Sequence, residues 1–253
     1  MKMPWTGMAL GVALGLAGCV TQPGSGHRRE VRVIEPSPEM QAIEVADVRR
    51  VVDGVRMIEQ GHIQAAIDGP FDEVVRRYET KYRDSRAVIY SARGMTDALL
   101  YSTMAASGKH DVSTTVIGPA WAMAYWGRGY AYNEMARYDD AIVELDKALA
   151  LAPFDAQYNI EIGYAYQRKS AWQESLRHYD VAEAYVGLTA DEKAIADVSC
   201  KALRGKGYDL VELHRYDEAR AAYRGCLKLV PGDTKSLGEL KYIDEVVQRA
   251  NAI

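Results

Sequence analysis

Three cysteines and five histidines are the residues of this 253-residue chain best suited to hold a metal or to act as nucleophile or base. The histidines (His27, His62, His110, His178, His214) are scattered, and none lies three or four residues from another ligand type in a set that could close around zinc. His178 and His214 read as residues of solvated helix faces. Ala106-Ser-Gly-Lys-His110 contains a Gly-Lys pair. It lacks the first glycine of a phosphate loop and a Ser or Thr after Lys109, and it follows a helical pattern where a strand is needed. It reads as a turn between helices. No Gly-x-Ser-x-Gly run occurs, no cysteine pairs with a histidine, and no two of the many carboxylates stand out as an acid–base pair. The sequence therefore predicts no catalytic centre, no metal and no cofactor.

With no chemistry to position, the elements themselves carry the reading. Apolar residues make up 48% of the chain, enough for a sizeable core, and tyrosine outnumbers phenylalanine 17 to 2. Tyrosine joins an apolar ring to a hydrated hydroxyl and suits half-buried surfaces. The formal net charge is −4, with no basic stripe, which argues against nucleic acid as a partner.

Lys2 precedes an apolar run, Thr6–Leu16, of 11 residues. A span of the hydrocarbon core needs about 20, so the run fits the apolar region of a secretory signal. It ends in Leu16-Ala17-Gly18-Cys19. This tetrapeptide resembles the lipobox of bacterial lipoproteins; the other reading, an ordinary cleaved signal with an incidental cysteine, stays open. The resemblance implies a signal peptide over 1–18 and cleavage before Cys19. It also implies lipidation of that sulfur and acylation of the new amine with palmitate-type chains, and a membrane anchor that two or more chains make stable. Val20 follows where an aspartate would favour the inner membrane of a Gram-negative cell, so the expected location is the outer membrane, facing the periplasm. Residues 19–39, with three prolines in Thr21–Glu39, read as a tether. Val31-Arg-Val-Ile-Glu35 could form a short strand, but nothing nearby supplies a partner.

Beyond the tether a pattern recurs. Gly61-His-Ile-Gln-Ala-Ala-Ile67, Ala136-Arg-Tyr-Asp-Asp-Ala-Ile142, Ser170-Ala-Trp-Gln-Glu-Ser-Leu176 and His214-Arg-Tyr-Asp-Glu-Ala-Arg220 align without gaps. Each has a large third residue and a small sixth, and each small residue lies twelve after a glycine: Gly54, Gly129, Gly163, Gly207. The segments resemble the tetratricopeptide repeat, a helix–turn–helix unit of 34 residues. The resemblance implies an all-α fold, a solenoid of antiparallel helix pairs in a right-handed superhelix. Gly129 and Ala141 are small where two helices cross closely, Tyr132, Tyr138 and Leu145 fill the wider gaps, and Pro153 sets the exit turn. Three units are assigned to 122–233. A divergent helical region covers 40–121, with Asp68-Gly69-Pro70 breaking a helix, Arg86–Ala106 as one long helix and Val112–Gly118 as a short one. A polar-faced capping helix occupies 234–253, as solenoids require.

In such solenoids the first helices line a groove. Equivalent columns there are Trp126/Tyr130/Asn133, Ile160/Tyr164/Gln167 and Arg204/Tyr208/Val211, with Arg168 alongside. Chaperone-binding members of the family carry asparagine at the middle position and a basic residue four before it. Here the middle position is tyrosine three times, so that activity is not carried over. Trp126, Tyr130, Asn133, Tyr164, Gln167, Arg168, Arg204 and Tyr208 are the candidate partner-binding residues. Tyr, Trp and Arg are the types that dominate interface energetics. The alternative is that the tyrosines pack between helices and show only an edge. Cys200 and Cys226 open and close one hairpin, and either bridge or fill packing gaps as free thiols.

The expected function is a lipid-anchored periplasmic scaffold that docks another envelope protein through a segment or helix laid in the groove. A narrower form is a pilotin-like assembly factor for a type IV pilus or secretin. The rival is a small-ligand binder or enzyme built on Gln41–Ile117.

Overall fold

The computed structural model describes residues 31–33, 37–107, 113–189 and 192–251. The fold is an all-α tetratricopeptide-repeat solenoid of helix hairpins, carrying one small sheet. Helix α1 (Pro38–Glu59) pairs with a second helix made of α2 (Ile63–Ala66), a π-turn (Ile67–Phe71) and α3 (Asp72–Tyr82). Strand β2 (Val88–Ser91), helix α4 (Met95–Ser107) and strand β3 (Thr114–Ile117) follow. Next come the hairpins α5 (Ala120–Glu134) with α6 (Tyr138–Leu151), α7 (Ala156–Arg168) with α8 (Trp172–Thr189), and α9 (Ile195–Glu212) with α10 (Tyr216–Leu229). Helix α11 (Thr234–Asn251) packs on α10 and α9.

The four hairpins turn in the same way. Gly61, Ala136, Ser170 and His214, the first residues of the aligned segments, all have positive φ, between 55° and 83°. In each, the following amide donates to the carbonyl five residues back: His62 to Met57, Arg137 to Tyr132, Ala171 to Tyr166, Arg215 to Leu210. This is the Schellman closure, which satisfies the last carbonyls of the first helix and reverses the chain.

The crossings are equally regular. Behind each repeat glycine stands a large side chain of the second helix: Phe71 on Gly54, Leu145 on Gly129, Tyr179 on Gly163, Tyr223 on Gly207. The last three lie 16 residues after their glycine, but Phe71 lies 17 after Gly54. The five-residue π-turn over Ile67–Phe71 takes up the extra residue. Asp68-Gly69-Pro70 therefore does not break the helix, as the sequence suggested. A π-turn carries Pro70, which has no amide hydrogen to give, and the helix continues. Two wedges also reach the next hairpin. A Cβ on Gly127 would lie 2.5 Å from the Phe71 ring, and one on Gly205 would lie 2.2 Å from the Tyr179 ring. Phe71 and Tyr179 thus each fill a gap between consecutive first helices.

Three expectations for the N-terminal half are corrected. Arg86–Ala106 is not one helix, because Val88–Ser91 is a strand before α4. Thr114–Ile117 is a strand where a short helix was expected, and Val31–Val33, expected within the tether, is a strand, β1. The three form a parallel sheet in the order β1-β3-β2, with Val31 and Val88 both opposite Thr114. Val88, Ile89, Thr114, Thr115, Val116 and Ile117 are β-branched and favour a pleated strand over a helix turn. Helix α1 likewise starts at Pro38, inside the expected tether, with the Ser37 side chain accepting from the Met40 amide. The 75 residues from Gly54 to Gly129 thus hold one hairpin and a strand–helix–strand insertion, not two hairpins. The insertion is fastened to the solenoid. Arg93 pairs with Asp155, the N-cap of α7, and the fully buried Tyr101 stacks on Tyr90 and Phe154.

Candidate partner-binding groove

First helices α1, α5, α7, α9 and α11 neighbour one another along the stack. The residue after each repeat glycine falls at one height on this face: Val55, Tyr130, Tyr164, Tyr208. Tyr164 is 40% exposed and Tyr208 42%, and Tyr130 is half-buried. Each of the two exposed rings leans on the residue that opens the preceding second helix. Tyr164 meets Tyr138 edge-on at 6.4 Å, and Tyr208 meets Trp172 at 5.9 Å. One flank is held by the solenoid and the rest is left to solvent.

The column has a fourth rung absent from the sequence reading. Tyr242 on α11 lies 34 residues after Tyr208 and is 50% exposed. One more repeat length would have found it; the polar look of α11 concealed it.

The other candidate residues divide. Trp126 is buried, stacked on Tyr130 at 5.8 Å and on Tyr158 at 6.2 Å, and belongs to the wall behind the face. Asn133 is buried too, and its amide donates to the Glu161 carbonyl, tying α5 to α7. The Gln167 amide donates to the Gly205 carbonyl and its oxygen accepts from Tyr179, tying α7 to α9. Arg204 turns away from the face, pairing with Asp233 at 2.7 Å and approaching both sulfurs of Cys200 and Cys226. These four hold the repeats together. Arg168 is exposed, donates to the Tyr138 hydroxyl and lies over that ring. Column spacing finds the residues of one face, but the neighbouring repeat decides which of them it covers.

Cys200 and Cys226 lie in the core of the last hairpin, joined as a disulfide with Cα atoms 4.5 Å apart. With Asp233 they make the one group of metal-type ligands among the described residues. Joined sulfurs offer no thiolate, and the Arg204 guanidinium already neutralises the carboxylate. Alkylation of the oxidised protein without reductant should modify neither cysteine, and mass measurement reads this directly; two modified thiols would exclude the bridge. Reduction should cost roughly 3 kcal/mol, the loop-closure value for a link of this span.

Burial sets the electrostatics. Glu161, where Gly127 and Gly205 stand in the adjoining repeats, is pushed up to about 7 by desolvation, against the Asn133 hydrogen bond and Lys201. Desolvation also raises Asp209 to about 7. The Ser175 hydroxyl and Gln167 amide beside it lower it only in part, because they donate to the carbonyls of Gly163 and Gly205. His178 is not on a solvated face, as expected, but buried in α8. It bonds Asn159, stacks on Tyr166, and is held down to about 4 by burial and by Arg177. His214 is exposed and bonds the Tyr216 hydroxyl. Cys19, His27 and Gly108-Lys-His110, expected to be a turn, lie outside the described residues.

The class defined by this geometry is a helix-hairpin solenoid with an aromatic column on its first-helix face. No family model matches the chain, and no curated protein matches it. Among the solved structures it is similar to are three tetratricopeptide-repeat domains, each matched over about half of this chain. For the first tetratricopeptide-repeat domain of human RPAP3, identity is 21%, coverage is 52% of this chain and 97% of that one, and the TM-score is 0.45. For the corresponding domain of Spaghetti (RPAP3) bound to the HSP90 peptide SRMEEVD, the values are 21%, 50%, 93% and 0.44. For the Arabidopsis OM64 tetratricopeptide-repeat domain they are 21%, 49%, 94% and 0.43.

Proposed function

We propose that the protein is a docking scaffold of the cell envelope, lipid-anchored through Cys19 at the periplasmic face of the outer membrane, whose first-helix face takes a segment of another envelope protein. The observation that carries the docking role is the column of Tyr130, Tyr164, Tyr208 and Tyr242, partly exposed at equivalent heights of successive first helices. Exposed aromatic rings held on a rigid support lose little entropy on binding and supply large contact areas. The anchor rests on Leu16-Ala17-Gly18-Cys19 behind an apolar run. Assembly of a pilus or secretin, in the manner of a pilotin, is the narrower form of this role.

Tyr164→Ala should weaken capture of the partner from detergent-solubilised membranes by about tenfold or more, the usual consequence of truncating an aromatic anchor. Its melting temperature and helical content should hold, since the ring is 40% exposed. Unfolding of the variant, with undiminished capture by whatever folded fraction remains, would assign the tyrosines to the core. The anchor is tested separately: wild-type protein should enter the detergent phase of a phase separation and Cys19→Ala should not. Wild-type protein in the aqueous phase would remove the anchor and leave the groove reading standing.

A further inference from the structure

We propose that the groove takes a cationic segment of its partner, one that presents lysine or arginine side chains between the tyrosine rungs. This rests on the groove reading and adds the chemistry of what is bound.

Four residues beyond Val55, Tyr130, Tyr164 and Tyr208 a second column runs along the same face, Glu59, Glu134, Arg168 and Glu212, and beyond Tyr242 it ends in Val246. Glu59, Glu134 and Glu212 are exposed. None of the three has an ion-pair partner among the described residues, whereas Arg50, Arg93, Arg128, Arg204 and Arg220 all have one. Two more carboxylates, Glu161 and Glu239, stand three residues before Tyr164 and Tyr242. The negative charge reaches the rings. After burial, the groups that push up the hydroxyl of Tyr130 are Glu134, Glu161 and Glu59. For Tyr208 they include Glu212, Glu239 and Asp209, with Arg168 opposing. Against the three exposed carboxylates the face offers Arg168, already on Tyr138, and Lys201, opposite Glu161.

A cation entering this strip meets a carboxylate and a ring together. The protein makes the same kind of contact internally, with Arg137 4.5 Å from the centre of the Tyr132 ring. Spacing favours an extended form. Packed helices lie about 8–10 Å apart, and a polyproline-type segment repeats every three residues at about 9 Å. A basic residue at every third position would therefore give one cation to each first helix. An acidic segment finds fewer seats: Arg204, four before Tyr208, is engaged with Asp233, which leaves Arg168, already donating to Tyr138.

The test measures fluorescence anisotropy with the full-length lipidated protein in detergent. The probes are a labelled peptide of Pro-Pro-Arg triplets and its Pro-Pro-Glu counterpart. The arginine peptide should bind at least about tenfold tighter than the glutamate peptide, and less tightly as salt rises. The Glu134→Gln/Glu212→Gln double variant, altered at exposed positions, should weaken it by about tenfold. Tyr164→Ala, which keeps every charge, should do the same. A glutamate peptide that binds as tightly, no arginine-peptide binding, or indifference to the double variant would overturn the proposal. Binding that survives Tyr164→Ala would also overturn it, as attraction to the acidic surface at large. The groove reading falls only if Tyr164→Ala also leaves capture of the native partner intact.

Discussion

Replacing Phe71 with alanine should remove about 4 kcal/mol of stability, the middle of the range for an aromatic side chain deleted from a core. The ring is fully buried and serves two contacts at once, filling the space beside Gly54 within its own hairpin and beside Gly127 in the next. Both neighbours are glycines, so no side chain can move in to fill the gap. The melting temperature should fall by about 8–16 °C at this chain length. In a solenoid each repeat is stabilised by its neighbours, so the loss should be local in hydrogen exchange. Amides of α1 and α3 should lose protection well before those of α9 and α10. A cost below about 1 kcal/mol would mean that the first hairpin does not stack on α5 through this ring.

Acidification from pH 8 to pH 5.5 should stabilise the protein by about 2 kcal/mol net, the reverse of ordinary acid destabilisation. Glu161 and Asp209 both sit near 7 in the folded chain, above the ordinary carboxylate values of 4.5 and 3.8. Between those values the folded state holds more protons than the unfolded one. Their contribution is complete below the unfolded values and is lost as pH rises through 7. His178 acts the other way. Its folded value of about 4 lies below the ordinary 6.5, so its contribution is lost as pH falls through that window. Two carboxylates outweigh one imidazole. Thermal melts across this range should show the rise, and Glu161→Gln should remove most of it, because Asp209 alone is then nearly offset by His178. A melting temperature that falls steadily from pH 8 to 5.5 would show that these carboxylates are ionised in the folded protein.

Much of the architecture was legible because a hairpin is a local object. The glycine, the left-handed turn residue seven positions later and the small residue twelve positions later all lie within one repeat. The helix crossing that requires them is made by the same stretch of chain. Gly61, Ala136, Ser170 and His214 could be aligned before any of them was known to have positive φ. The sheet was not legible for the opposite reason. Val31 pairs with Thr114 across more than eighty residues, and nothing near Val31 announces a partner. The β-branched runs at Val88 and Thr114 carried the strand signal, but the helical period of their surroundings outweighed it.

The sequence by itself determined the number of hairpins in the C-terminal half, their register, and the tyrosine at one height of each first helix. All three follow from a repeat that packs against itself. Only the tertiary structure decided what each residue of that face is free to do. Asn133 and Gln167 bridge to the next helix, Trp126 closes the wall, and Arg204 turns to Asp233, while Tyr164, Tyr208 and Tyr242 keep an open flank. The physical reason is that a solenoid residue faces its own repeat through local spacing but is covered or exposed by the adjoining one. That neighbour's side chains differ from repeat to repeat, as Glu161 differs from Gly127 and Gly205 at the same height.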